Sequence, residues 1–528
     1  MLGEKLHRYL YLLGIITLLA GLPFSPFLTS LGQFILVGNW LIELNFREKL
    51  RLIKKRPGIL LFTSLFLVHV VWLINTSNFQ YAQHDIVIKL PLLALPVIVG
   101  TSRPLNQRET ILILQLFAAS IFAASVYSAA LFFGVGSQEV IDKRQSSVFI
   151  SHIRFALMIV LTCYILMSLL AAKEQNKILV RVIYLISLTW FVFYLLFIGA
   201  FSGVVILSLS FPFVLAYWLR KTASKKVTLY SWLLLSLLVL ISIAYLGYSI
   251  KRYYTITDTD SKSLPTHTIN GNPYKHNLNL KIYENGHLVW VSINDKELGE
   301  QWELRSDFKF WGKDLKGQDI RTTLIRYLTS MGYTKDSVGI SQLTQEDINF
   351  IEAGTTNYLM KNKWAIYPRI YELLWEIEQY KIHGDPSGHS LSQRLEFMSN
   401  GLRVFGQHAW WGVGTGDVND EIMKQYEMDN SILQEKWRFR PHNQYITFLV
   451  AFGSVGMLLI IGLFAAGLVY QKHNIDQVSL AFLLIVLLSM LSEDTLETQA
   501  GATFYAFFLS LLFLGRNLNS VNNESIAA

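Results

Sequence analysis

The chain is poor in charge and almost without cysteine. Of its 528 residues only 16% are Asp, Glu, Lys or Arg, and Cys163 is the single cysteine. So little charge over such a length excludes an ordinary soluble protein, which needs far more polar surface. One cysteine excludes a disulfide framework, so any exported segment must be ordered by packing alone. No Walker-type phosphate loop is present, and GVGTGD follows two tryptophans rather than a strand, lacking the third glycine of a dinucleotide fingerprint. A turn packed against the membrane surface is the expectation for that stretch. Without a nucleotide site, the energy for any reaction must come from the substrate itself.

What is present is apolar. Hydrophobic residues make up 52% of the chain and aromatics 13%, and the mean hydropathy is +0.35. The first apolar stretch, YLYLLGIITLLAGLPFSPFL, follows Lys5 and Arg8. No A-x-A site comes after it and another apolar run begins at once, so a first transmembrane helix is expected there, not a secretory signal. About twelve spans follow from hydropathy, each near the ~20 residues that cross a bilayer. They begin near Leu10, Phe27, Gly58, Val87, Ile111, His152, Val182, Phe201, Tyr230, His442, Val478 and Gly501. The fourth, VIKLPLLALPVIVG, holds two prolines and is expected to be kinked or re-entrant. The fold class is therefore an all-α polytopic membrane protein of about 12 transmembrane helices, with a large mixed α/β extracytoplasmic loop between spans 9 and 10.

Orientation follows from lysine and arginine. With the N-terminus inside, about 19 basic residues fall in inner segments and about three, Lys89, Lys143 and Arg144, in short outer ones. Both termini are then cytoplasmic, and the loop faces out. That loop carries about 23 basic and 25 acidic residues and is near neutral. The net charge of +8 thus resides in inner loops and implies no nucleic-acid partner. The domain reading is a membrane domain over 1–250, a loop domain over 251–440, and a membrane domain with a cytoplasmic tail over 441–528. Within the loop, HNLNLKIYENGHLVWVSIN alternates around Asn-Gly and predicts a β-hairpin. TTLIRYLTSM, LTQEDINFIEAG and YPRIYELLWEIEQYKI predict helices.

Chemistry concentrates where the loop ends. In RFRPHNQYITFLVAFGSVGMLLIIGLF, Pro441 suits the first turn of a helix, and His442 and Asn443 are expected in that same turn. An imidazole there can accept a proton from a hydroxyl near neutral pH. Arg438 and Arg440 can hold phosphate by charge-assisted hydrogen bonds. The same residues also suit plain interfacial anchoring, which favours amphipathic side chains.

PHNQY followed by FLVAFGSVGMLL resembles the signature of the O-antigen ligase and O-antigen polymerase superfamily of bacterial lipid-linked glycan transferases. SLSQRLEFMSNGLRVFGQHAWWGVGTGD is similar to the family's outer-loop segment, and SEDTLETQAGATFYAFF to the last outer loop and span of ligase-like members. The resemblance implies that His442 activates the acceptor hydroxyl and that Arg394 contacts the donor pyrophosphate. It implies a metal-independent, inverting transfer with no cofactor. His383 and His389 bracket HGDPSGH, a lone pair expected at the surface, not a metal site. Where relatives carry an arginine at the start of a span, this chain has GAFSGVV, ending at Val205, without one. Arg154 is the candidate replacement, because a charge just inside a span is costly and marks function by default, although outward snorkelling also accommodates it. Lys89, Glu493, Asp494 and His152 fall at outward-facing ends of spans, where an interface role competes with donor or acceptor binding.

The partners implied are an undecaprenyl pyrophosphate-linked glycan, a lipid A core or other glycan acceptor, and membrane lipids. The implied setting is the bacterial inner membrane. A single dominant outer loop before PHNQY favours ligation to lipid A core; a polymerase and a protein O-oligosaccharyltransferase are the alternatives within the family. A reading from another class is a multi-span transporter of lipid-linked sugars. Against it, no inverted repeat and no midplane cluster of charges is evident, and the polar residues within spans are sparse, His69 and Gln115.

Overall fold

A computed structural model of the chain describes residues 2–135, 147–172, 177–257, 264–362, 365–384, 386 and 390–516. Lys143, Arg144, Lys173, His389 and the side chain of His383 lie outside the described residues. All twelve apolar stretches are helical. Among the described residues, nine helices are long and apolar enough to cross a membrane, or ten if Pro26–Ile42 and Phe46–Lys55, bent by 109°, count as one. Gln477–Ser489 and Gln499–Phe513 are shorter apolar helices. The first of these has 13 residues and spans only about 20 Å. Despite its two prolines the fourth stretch departs from helix only at Leu90, and Phe79–Thr101 continues as one 23-residue apolar helix. Leu233, Leu237, Ile243 and Leu246 stand exposed along Lys225–Tyr254. Such a surface calls for lipid as its solvent. The protein is thus a helical, multi-pass membrane protein.

The chain divides into two compact units, residues 1–232 with 386–528, and residues 233–385. Residues 386–440, which the charge and hydropathy pattern groups with the outer loop, pack with the first unit. The reason is the helix Ser390–Gln407, whose Phe397 and Val404 join the same apolar core as Ile446 and Val450 of Gln444–Tyr470.

In the first unit, His152–Ala171 and Gln499–Phe513 are buried along most of their length, and Phe117 meets Phe508 at 4.9 Å. The glycine-rich stretch lies inside this unit, against a broken helix. Gln444–Tyr470 is interrupted at Gly453, which has φ 63° and ψ −169°. There Val413 N donates to Val450 O (2.9 Å), Gly414 N to Ala451 O (2.9 Å) and Ser454 N to Ala409 O (2.8 Å). A side chain on Gly453 would run into the Trp410 carbonyl, and one on Gly412 into the Ala451 backbone, so both glycines are required by the close approach. From the other side, Trp72 Nε1 donates to Trp411 O (2.7 Å) and Thr415 Oγ1 to His69 O (2.6 Å). GVGTGD therefore satisfies the backbone groups that the break frees, as an interrupted helix in an apolar setting requires. The expected turn on the membrane surface is replaced by this inward packing.

In the second unit, Asn285 and Gly286, both at positive φ, close a two-strand hairpin with β1 at Tyr283–Glu284 and β2 at His287–Leu288. The Asn-Gly pair predicts this, because a type I′ turn needs positive φ at both positions. The three expected helices form as Ile320–Ser330, Gln345–Glu352 and Ile366–His383, the second with a Thr344–Asp347 capping box. Trp302, Phe310, Leu324, Tyr327 and Ile348 are among its fully buried core. Glu284, also fully buried, accepts from Arg326 Nε (2.8 Å), Asn357 Nδ2 (2.9 Å) and Tyr371 OH (2.8 Å).

Candidate active site

The helix Gln444–Tyr470 starts three residues later than its proline suggests. Asn443 is extended (φ −146°), and its side-chain oxygen accepts from Tyr445 N (3.0 Å) and Ile446 N (3.1 Å). That is an N-cap, so Pro441 and His442 precede the helix instead of forming its first turn. The Asn443 amide also donates to Leu491 O (3.0 Å). His442 is held at φ +48°, a left-handed conformation that few non-glycine residues adopt.

Around His442 the chain gathers distant residues. Its ring lies 5.6 Å from that of Phe397 and 6.1 Å from that of Phe439. Arg394 stands three residues before Phe397 on Ser390–Gln407, hence on the same face. Its Nη2 donates to Glu493 Oε1 at 2.9 Å. Arg154, near the start of His152–Ala171, has a buried Nε with no hydrogen-bond partner among the described residues. Asp494 accepts from Thr447 Oγ1 at 2.8 Å.

Burial pushes the His442 imidazole below the usual histidine range. Asp494 opposes that shift, and Arg394, Arg154 and Arg440 reinforce it. The neutral form of the ring, which can accept a proton, is therefore favoured at pH 7. Burial raises the Glu493 carboxyl, against the pull of Arg394 and Arg154. Three arginines, two carboxylates and one neutral imidazole thus share one electrostatic neighbourhood.

A second, more deeply buried network adjoins it. Arg440 Nη1 donates to Tyr81 OH (3.2 Å) and to Glu497 Oε2 (3.1 Å). Lys89 Nζ donates to Asp85 Oδ1 (2.5 Å) and Glu497 Oε2 (2.9 Å), and its side chain is 1% exposed. Gln444 Nε2 donates to Glu497 Oε1 (2.8 Å) while its Oε1 accepts from Leu496 N (2.9 Å). Burial alone would raise the Glu497 carboxyl, but Lys89 and Arg440 hold it well below the usual range. Removing one member would strand a buried charge, a change that costs about 3–5 kcal/mol. A small cavity of about 10 Å³ abuts the network, lined by His69, Lys89, Thr415, Arg440 and Phe448 among others.

Of the residues singled out from sequence, His442, Arg394, Arg154, Arg440, Asn443 and Glu493 come together. Lys89 joins through Glu497, its ammonium already taken by two carboxylates. Arg438 points elsewhere: its Nε donates to Leu433 O (3.1 Å) and its guanidinium lies 6.0 Å from the Tyr426 ring. Asp85, Gln444 and Glu497 are absent from the sequence reading. Asp85 and Lys89 are two further polar groups within a span beyond His69 and Gln115, and their four-residue spacing was the available signal.

The class defined by this fold and site is a polytopic helical membrane protein with a neutral histidine and several arginines gathered at a helix start. A family model described as O-antigen ligase matches residues 365–461, which is consistent with an O-antigen ligase-like superfamily member. The matched range holds Arg394, Arg438, Arg440, His442 and Asn443, whereas Lys89, Arg154 and Glu493 lie outside it. No curated protein matches the chain. The match supports a glycosyltransferase-like enzyme of the ligase or polymerase kind.

Proposed function

We propose that the chain transfers a glycan from undecaprenyl pyrophosphate to a sugar hydroxyl at the periplasmic face of the bacterial inner membrane, ligating O-antigen to lipid A core. The observation that carries this reading is a neutral imidazole set beside Arg394 and beside an Arg154 whose buried Nε has no partner among the described residues. His442 takes the proton of the acceptor hydroxyl, whose oxygen forms a bond to the anomeric carbon. The bond from that carbon to the pyrophosphate oxygen breaks on the opposite face, and the electron pair leaves with undecaprenyl pyrophosphate. Inversion at the anomeric carbon follows. Arg394 and Arg154 stabilise the charge that builds on the leaving group, the kind of preorganised electrostatics that often dominates catalysis. Glu493, weakened as an anion by burial, gives up Arg394 to the pyrophosphate. Asn443 fixes the backbone beside the base.

In this scheme arginines supply the cations, and transfer by the purified protein should be unchanged in excess EDTA. Activity lost on chelation and restored by magnesium or manganese would contradict it. Orientation has its own test. Ser224 and Ile269 are exposed, and Cys163 is buried. In cells with a permeabilised outer membrane, Ile269→Cys should react with an impermeant thiol reagent and Ser224→Cys should not. The reverse pattern would put the second unit in the cytoplasm.

A further inference from the structure

We infer that Glu497 is a positioning residue for His442, holding the backbone on both sides of the base with its two carboxylate oxygens. The inference rests on the reading of His442 as the base. Residues 440 and 444 are placed symmetrically about it, and each donates to a different oxygen of Glu497: Gln444 Nε2 to Oε1 at 2.8 Å, Arg440 Nη1 to Oε2 at 3.1 Å. One side chain therefore spans the segment in which His442 sits at φ +48°. That conformation is sparsely populated without external support, and such strain persists only where the surroundings over-determine it.

The carboxylate is itself fixed. Lys89, from the helix Phe79–Lys89, donates to Oε2 at 2.9 Å and is braced by Asp85 on the same helix. Leu496 N donates to Gln444 Oε1, Gln444 N to Met490 O and Asn443 Nδ2 to Leu491 O, so residues 443–444 are stitched to the 490–497 turn by three further bonds. The same turn carries Glu493, the partner of Arg394, and Asp494, which opposes the lowering of the His442 proton affinity. Glu497 thus ties the base and the groups that face it into one rigid piece. No hydrogen bond joins Glu497 to His442, Arg394 or Arg154 among the described residues, so it acts through Arg440 and Gln444.

The experiment compares full-length Glu497→Gln, His442→Ala and the double variant in a labelled transfer assay. The amide keeps the shape but offers one acceptor oxygen where donors approach two. Glu497→Gln is expected to lower kcat about 10²-fold, as small displacements of a catalytic group do, with the KM for the lipid-linked donor changed less than about twofold. In the His442→Ala background the same change should cost almost nothing, because residues acting as a unit are not additive. An equal loss in both backgrounds, or wild-type kcat in Glu497→Gln, overturns the inference. Should Glu497→Gln fail to accumulate, Gln444→Met removes one half of the clamp and leaves both ion pairs; wild-type kcat in that variant overturns the inference equally. His442→Ala with full activity removes the reading of the base itself, whereas an inactive His442→Ala beside an additive Glu497→Gln removes only the clamp.

Discussion

Replacing His442 by alanine is expected to lower the transfer rate about 10² to 10⁴-fold, the usual cost of losing a general base. The protein should still accumulate, because the Asn443 cap and the Glu497 network do not use the imidazole. In wild type, the acid limb of the pH profile should lie below the ordinary histidine value of 6.5, since burial and three arginines depress the proton affinity of the ring. The imidazole is the active base while neutral, so activity is lost as the pH falls through that depressed value. Cells carrying the variant then distinguish the acceptors. A ligase leaves long polymers on the isoprenoid carrier and bare lipid A core; a polymerase leaves cores bearing a single repeat; a protein transferase leaves normal lipopolysaccharide and unmodified exported proteins. Normal glycans on every acceptor, with the variant present at wild-type level, would reduce His442 to an interfacial anchor.

Arg394→Lys is expected to cost about 10² to 10³-fold, comparable to removing one donor from a charge-stabilising site. The guanidinium at position 394 reaches Glu493 with one nitrogen at 2.9 Å and has further N–H groups to offer. An ammonium is a point charge without that fork, so once Glu493 has given it up it cannot bind a pyrophosphate in two-point fashion. The loss should appear in kcat more than in the KM of the donor, because the charge on the leaving oxygen develops in the transition state. Steady-state kinetics on the purified variant provide the check. A kcat within about twofold of wild type would mean that bulk positive charge suffices there.

The membrane class was legible because a run of apolar residues near the thickness of a bilayer has few other destinations, and every such run is helical. The hairpin at residues 283–288 was legible for a local reason, the positive φ that Asn285 and Gly286 tolerate. What could not be read depends on contacts distant in sequence. Lys89 meets Glu497 across 408 positions, and nothing in LETQ distinguishes Glu497 from an ordinary interfacial acid. The fate of Gly412 and Gly414 depends on the helix break at Gly453, itself hidden in an unbroken apolar run. At His442 the pattern gave the right neighbourhood but the wrong turn: proline outvoted asparagine in locating the helix start, although asparagine is the stronger cap.

The central claim is chemical transfer, and the transporter reading is its rival. The most direct measurement is transfer of a radiolabelled glycan from a lipid pyrophosphate carrier to an acceptor by the purified protein in detergent, where there are no compartments and no gradient. The account predicts labelled acceptor and released undecaprenyl pyrophosphate in equal amounts, with the anomeric configuration inverted. Label reaching the acceptor only when intact vesicles enforce two compartments would contradict it.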